Sequence, residues 1–184
     1  MEKVELAKFS NKQYMQAGLL RRISWFIVSL LIFRNPFLAY SYFFKAIILR
    51  LFGAQVGKGL VIKPSVNIRC PWFLEIGDNV WLGEGVLIEN FSKVKLGNNV
   101  CLSQGAALIG AGHDYKKAAF DLLLYQIIIE DGVWIAARAI VCGNVKCASH
   151  AVLTVGSVAT HNLEPYKVYQ GNPAVVKRER AITV

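Results

Sequence analysis

Aliphatic residues recur along this chain every six positions, each followed four positions later by a small or β-branched residue. Ile129, Ile135, Val141, Cys147 and Leu153 share one register, with Val133, Ala139, Val145, Ala151 and Ser157 behind them. Ile76, Leu82 and Ile88 keep the same beat around Val80 and Val86, and Leu96, Leu102 and Leu108 resume it around Val100 and Ala106. Ile62, Ile68 and Leu74 extend it upstream more weakly. A period of six fits neither a 3.6-residue helix nor an alternating strand. The spacing predicts an all-β chain coiled into a parallel β-helix, each rung a very short strand with its aliphatic residue inward. Phrases such as Ile76-Gly77-Asp78-Asn79 and Leu96-Gly97-Asn98-Asn99 would turn the corners, because Gly and Asn tolerate positive φ. One rung cannot bury its own apolar face, so the core forms only between coils and the ends need caps. A sandwich of short strands is the competing architecture.

Two stretches depart from the beat at the ends and one in the middle. From Leu19 to Phe52 the chain is rich in Leu, Ile, Phe and Tyr, punctuated by Arg21, Arg22, Arg34, Lys45 and Arg50. Its uninterrupted apolar run, Ile23 to Phe33, is about half the roughly 20 residues a transmembrane helix needs, and Asn35-Pro36 breaks it. Arg34-Asn35-Pro36-Phe37 is a poor signal-peptide cleavage site. The pattern predicts helices over about Met15 to Phe33 and Pro36 to Phe52, read either as a cap on the open coil or as an anchor in a membrane interface. Between Leu108 and Ile129 a loop carries Gly110-Ala111-Gly112-His113-Asp114-Tyr115, and loops that leave a rigid scaffold often carry function. After Leu153 an irregular tail holds Pro165 and Pro173, which remove backbone donors and should stop the coil. The division is therefore residues 1–52 as the helical cap or membrane-interface segment, 53–160 as the β-helix with its loop near 109–127, and 161–184 as the tail.

Composition adds compartment and charge. The 184 residues are long enough for one full core, and 54% hydrophobic content with a mean hydropathy of +0.39 leaves apolar surface for a partner. A formal charge of +9 attracts anions, whether nucleic acid, acidic headgroups or cofactor phosphates. The basic residues are scattered and the pairs Arg21-Arg22 and Lys177-Arg178 are short, which argues against nucleic acid. Cys70, Cys101, Cys142 and Cys147 lack CxxC spacing and read as buried apolar positions in a reducing, cytoplasmic setting, neither a metal site nor a disulfide frame.

With the repeats, the Gly-His-Asp-Tyr loop and the Gly171-Asn172-Pro173-Ala174 tail in this order, the chain resembles the hexapeptide-repeat acetyltransferases, and among them the colanic-acid-type exopolysaccharide enzymes. Leu51-Phe52-Gly53-Ala54, the run from Ile62 to Ile68 and Pro71-Trp72-Phe73-Leu74-Glu75-Ile76-Gly77-Asp78 carry the closer likeness. The resemblance implies a left-handed parallel β-helix with an N-terminal helical segment, a homotrimer with sites between neighbouring prisms, and acetyl-CoA as donor without a metal. It implies His113 as the general base, since neutral imidazole can take a proton from a sugar hydroxyl at physiological pH. It further implies Asn90 against the acceptor sugar, with a turn asparagine as the competing reading, and a CoA wall of Trp134, Ala137, Val155, Gly156, Thr160 and Arg178. The backbone N–H near Ala137 would receive the oxyanion. His161 and Val175 stand where relatives often carry cations; Lys167, Lys177 or Arg178 could take over the CoA phosphates. Val155 stands where Ala or Gly is common.

These features point to an O-acetyltransferase acting on a hydroxyl of an exopolysaccharide or other surface-glycan precursor, free or lipid-linked, with peripheral membrane contact as one reading of the N-terminus. A free small-molecule acceptor and a catalytically silent trimeric scaffold are the alternatives. A metal-dependent hydratase of the same fold would need His113, His150 and His161 at matching rungs, and their spacing does not provide that.

Overall fold

The computed structural model describes residues 3–10, 17–37 and 40–183. From Gln55 onward the chain winds as a parallel β-helix with three faces. The first face stacks Gln55–Val56, Leu74–Ile76, Val94–Leu96, Ile127–Ile129 and Lys146–Cys147. The second stacks Val61–Ile62, Trp81–Leu82, Cys101–Leu102, Trp134–Ile135, Val152–Leu153 and Lys167–Gly171, and the third Asn67–Ile68, Leu87–Glu89, Ala107–Ile109, Ile140–Cys142 and Val158–Ala159. Every neighbour within a face is parallel except the last hairpin.

The inward rows are those of the six-residue beat. Ile62, Leu82, Leu102, Ile135 and Leu153 lie over one another on the second face, and all are fully buried. The residues four positions on, from Val80 to Ser157, fill the corners and are equally buried. The core is a column one side chain wide, and it exists only because coils stack. Outside it, Asp78, Asn98 and Asp131 form a ladder up one corner. The Oδ1 of each accepts the backbone N–H one coil below, Lys58, Asp78 and Asn98 respectively, at 2.7–2.8 Å. The ladder leaves no room beneath it: a Cβ on Gly97 would come within 2.2 Å of Asp131 Oδ1.

The beat misreads one corner. Eight positions separate Ile68 from Ile76 and Ile88 from Leu96, so Ile76, rather than Leu74, occupies the inward slot over Val56. Leu74 sits two residues earlier in the same strand, over Val94. In these two coils the corner between the third and first faces is therefore wider than the others, whereas Val141 to Cys147 keeps the count of six; the loop after Leu108 leaves from the same corner.

At the N-terminus, helix α1 (Leu19–Val28) continues into a π-helical turn over Ser29–Phe33, and helix α2 spans Tyr42–Leu51. Both are shorter than the hydrophobic run predicts. Met15 and Gln16 lie outside the described residues; Gly18 caps α1, and Ser41 caps α2 by accepting the Phe44 N–H, so α2 begins after Ser41 and not at Pro36. In a regular helix Phe33 would stand about a fifth of a turn off the row of Trp25. The widened turn brings the two rings to 5.3 Å. The buried Trp25 donates its Nε1–H to the Ile68 carbonyl, Lys45 Nζ donates to the Ile62 carbonyl, and Arg50 donates to the Val56 and Gly57 carbonyls. The first coil's open backbone acceptors are thus met by the helices, and fully burying Phe33 and Leu49 adds about 1.5–3 kcal/mol each.

The tail corrects a second expectation. Lys167–Gly171 pairs in parallel with Val152–Leu153, placing the buried Tyr169 over Leu153, before Ala174–Glu179 returns antiparallel. Pro165 and Pro173 fall in the turns on either side of Lys167–Gly171, where no ladder donor is needed, so the coil continues for one more strand. Of the cysteines only Cys147 is buried; the other three are half-buried. All four are free thiols, and burial pushes Cys147 up to about 12.

Candidate active site

The loop after Leu108 is a hairpin. Ala111–His113 pairs antiparallel with Leu122–Leu124, setting His113 opposite Leu122 at the hairpin's outer end. Gly110 must be glycine: a Cβ there would meet the Glu89 carbonyl at 2.8 Å and the Tyr125 carbonyl at 3.1 Å. Beyond His113 the chain turns through Asp114–Lys117. Asp114 Oδ1 accepts the Lys116 N–H, and its backbone donates to the Asp121 carbonyl. Asp114 therefore shapes the turn and makes no bond to the imidazole.

The exposed ring of His113 is held on three sides. Phe120 stacks on it at 4.4 Å with an interplanar angle of 10°, and Phe9 approaches at 5.5 Å. Its Nδ1 lies 2.8 Å from the Phe120 carbonyl oxygen. A carbonyl can only accept, so Nδ1 carries the proton in the neutral ring, and Nε2 presents a lone pair. Phe9 is brought there by the N-terminal segment, which is tied to the loop by the Glu5 N–H donating to the Ala118 carbonyl at 2.8 Å.

His113 lines a cleft of about 770 Å³ between α1, the third face and the hairpin. Trp25, Phe26, Trp72 and Phe91 give it apolar walls, and Arg22, Arg34, Arg69 and Glu89 bring charge into it. Arg21 stands behind Trp72, 4.9 Å from the ring centroid, with its guanidinium donating to the Phe52 carbonyl.

A second cavity of about 890 Å³ lies along the second face. Trp134, Ala137, Val155 and Arg178 line it together with Thr154 and Arg180. Trp134 is fixed by its Nε1–H donating to Ser103 Oγ at 2.9 Å. Ala137 accepts the Gly156 N–H at 3.0 Å, so Gly156 is bonded to this wall, at a φ of +65° that suits glycine. Val155 is 68% exposed and projects beyond the coil. Thr160 does not line the cavity; its hydroxyl pairs with His161 Nδ1. Of the cations weighed for CoA phosphates, Lys167 is paired with Glu179, Lys177 is exposed on the last strand, and Arg178 borders the cavity.

The two cavities share no lining residue, so one chain does not bring His113 to the second-face wall. Asn90 belongs to neither. It is fully buried, its Oδ1 accepting from Cys70 N–H at 3.0 Å and its Nδ2 donating to the Cys70 carbonyl at 2.6 Å, which closes the wide corner between two coils. Sequence reasoning gave no place in the site to Phe9, Arg22, Arg34, Arg69 or Arg180, reading Arg22 and Arg34 only as cations of the N-terminal stretch. The first four come from three separate segments that no spacing rule connects. Arg180 reaches back to the Gly132 and His150 carbonyls, tying the last residues of the hairpin to the wall.

No family model matches the chain. It is 33% identical, over 97% of its own length and 98% of the relative's, to WcaF of Escherichia coli strain K12, a protein assigned as a colanic acid biosynthesis acetyltransferase. Its fold superposes on a maltose O-acetyltransferase from Clostridium difficile 630 with a TM-score of 0.81, at 23% identity and 92% coverage of both chains. It also superposes on a hexapeptide-repeat-containing acetyltransferase from Vibrio cholerae O1 biovar eltor, complexed with acetyl coenzyme A. There the TM-score is 0.79 at 20% identity, over 89% of this chain and 88% of that one.

Proposed function

The chain belongs to the hexapeptide-repeat acetyltransferases with a left-handed parallel β-helix, and from that premise we propose that it moves acetyl from acetyl-CoA to a hydroxyl of an exopolysaccharide precursor, with His113 as general base. That it is an acetyl-CoA-dependent acetyltransferase follows from the family. The assignment of the base rests on one observation, the Nδ1 contact of His113 with the Phe120 carbonyl, which leaves Nε2 as the ring's acceptor.

In the reaction, Nε2 takes the proton of the sugar hydroxyl as that oxygen attacks the thioester carbonyl. The carbonyl oxygen, now negative, is met by the Ala137 N–H, which donates to no other group among the described residues. Collapse breaks the carbon–sulfur bond, the acetyl ester remains on the sugar, and the imidazolium returns its proton to the CoA thiolate. In the homotrimer that the family implies, one subunit's wall would meet its neighbour's loop, and this would join His113 to the second-face wall; the two line separate cavities in one chain. The outward tryptophans on the second face, Trp81 at 56% and Trp134 at 44% exposure, support such a contact.

The two helices carry Leu20, Phe43 and Leu51 and the connection between them Phe37, each more than 70% exposed. No helix among the described residues is long and apolar enough to cross a membrane. The exposed apolar side chains are what supports peripheral contact with an anionic bilayer, where a lipid-linked acceptor would be met. Incubation with labelled acetyl-CoA and a set of free hexoses, lipid-linked glycans and small amines tests the reading. Label is expected in glycan and released by mild alkali, as an ester is. Alkali-resistant label in an amine, or acetyl-CoA binding without transfer to any acceptor, would overturn it.

A further inference from the structure

Helix α1 is apolar on both of its sides. Trp25, and after it Ser29 and Phe33 on the π-helical turn, are buried, with Trp25 bonded to the Ile68 carbonyl of the first coil. A helix that lies at a surface carries polar residues on its outward side. Here Leu20, Ile23 and Ile27, which share one outward row at about 3.6 residues per turn, are exposed. Leu30 and Leu31 carry the row onto the π-helical turn, Leu19 and Phe26 widen it, and the exposed Ser24 interrupts it. An open apolar face of this extent marks a contact surface.

Charge identifies the partner. Residues 6–74 hold ten of the chain's 21 lysines and arginines and none of its 12 acids, whereas the rest of the chain carries eleven cations against those twelve acids. The net positive charge therefore belongs entirely to the stretch that bears α1. A second copy laid on this face would set like charge against like, whereas an anionic bilayer is attracted to it. The same face borders the site: Leu19, Ile23 and Phe26 point outward and also line the His113 cleft, and the exposed Arg34 and Arg69 belong to that lining.

We propose that α1 lies in the plane of an anionic bilayer, its outward row in the boundary between headgroups and acyl chains, so that the mouth of the His113 cleft is held at the membrane surface. This rests on the peripheral contact proposed above; it assigns that contact to one helix face and fixes which way the site opens. The aliphatic row enters the acyl region while the arginines at the rim stay with the headgroups, the division of an interfacial amphipathic helix.

The test mixes full-length protein with vesicles of phosphatidylcholine alone or with phosphatidylglycerol added. Flotation should carry the protein up with the anionic vesicles, less so as salt rises. Binding should weaken about tenfold or more in Leu20→Ser/Ile27→Ser, and Val175→Ser/Val176→Ser, on exposed residues of the last strand, should bind as wild type does. Phosphatidylcholine with a diazirine on its acyl chain reads the orientation in unaltered protein, and so decides even if a variant fails to fold: adducts should fall within residues 19–31. Adducts on the second face around Trp81 and Trp134 instead, no binding to anionic vesicles, or equal binding by a folded α1 variant would overturn the proposal. So would a loss of oligomer mass in that variant by ultracentrifugation, which would give the face to another copy of the chain. CoA binding without vesicles is measured separately. Its absence would strike the transferase reading, whereas loss of vesicle binding alone strikes only the docking.

Discussion

The two cavities are built from different kinds of sequence. The second-face cavity is made largely of repeat positions: Trp134, Ala137 and Val155 project from rungs whose neighbours are fixed by the stacked inward row of Leu102, Ile135 and Leu153. The cleft at His113 is made largely of departures from the repeat, namely α1, the segment bearing Phe9 and the inserted hairpin. Donor chemistry common to a family can reside on the rigid coil, whereas acceptor choice resides on segments that vary in length without disturbing the stack. A rigid scaffold carrying variable loops is the usual division of labour.

The comparison breaks first at the scaffold. Leu102→Ala removes the middle of the inward column, where the side chain is fully buried between Leu82 and Ile135. The expected cost is about 2–5 kcal/mol in urea unfolding, with both cavities lost in one transition. Separate melting of the cleft and the wall would show that they are independent bodies.

Trp134→Ala should sharpen the contrast. It removes the ring anchored on Ser103 and raises the KM for acetyl-CoA about tenfold, with the acceptor KM unchanged in initial-rate kinetics. An equal loss in both would place the tryptophan on the acceptor side or at a general structural contact. On the other side, Phe9→Ala frees one flank of the His113 ring. It should lower kcat a few-fold with little effect on acetyl-CoA affinity, because it loosens the ring's orientation without touching the wall.

The smallest effect concerns Glu130, at the first-face edge of the scaffold. A hydrogen bond from Lys146, and others from the Ser149 hydroxyl and backbone N–H, hold its carboxyl below the usual carboxylate range. A lowered folded-state value means the contribution is present above the ordinary carboxylate pKa and is lost as pH falls through the lowered one. Glu130→Gln should therefore cost less than about 1 kcal/mol at pH 7 and nothing once the pH is below both values, measured by denaturant unfolding at each pH.

How far the sequence could be read follows the same boundary. Ile129 to Leu153 announced their burial because a six-residue beat has one inward direction per rung, and His113 stood out because it sits where the beat lapses. Leu74 was misplaced because a corner two residues wider keeps an aliphatic residue on the count while shifting the rung. The tail was misjudged because Pro165 and Pro173 were weighed as breakers without knowing that they would fall in turns. Arg22 and Arg34 were legible only as cations of the N-terminal stretch and Arg69 not at all; the docking of α1 on the third face brings the three to one cleft. Asn90 had two readings in sequence, and its paired, buried amide is that of a corner asparagine.

The central claim is that His113 acts on the acceptor hydroxyl while acetyl-CoA is held elsewhere, on the second-face wall. The direct measurement is the rate of acetyl-dependent CoA thiol release by wild type and His113→Ala at saturating acetyl-CoA and acceptor, with acetyl-CoA affinity measured in parallel. The account predicts a fall of about 10²–10⁴ in kcat at unchanged affinity. A variant that turns over like the wild type, or that loses acetyl-CoA binding in proportion to rate, would contradict it.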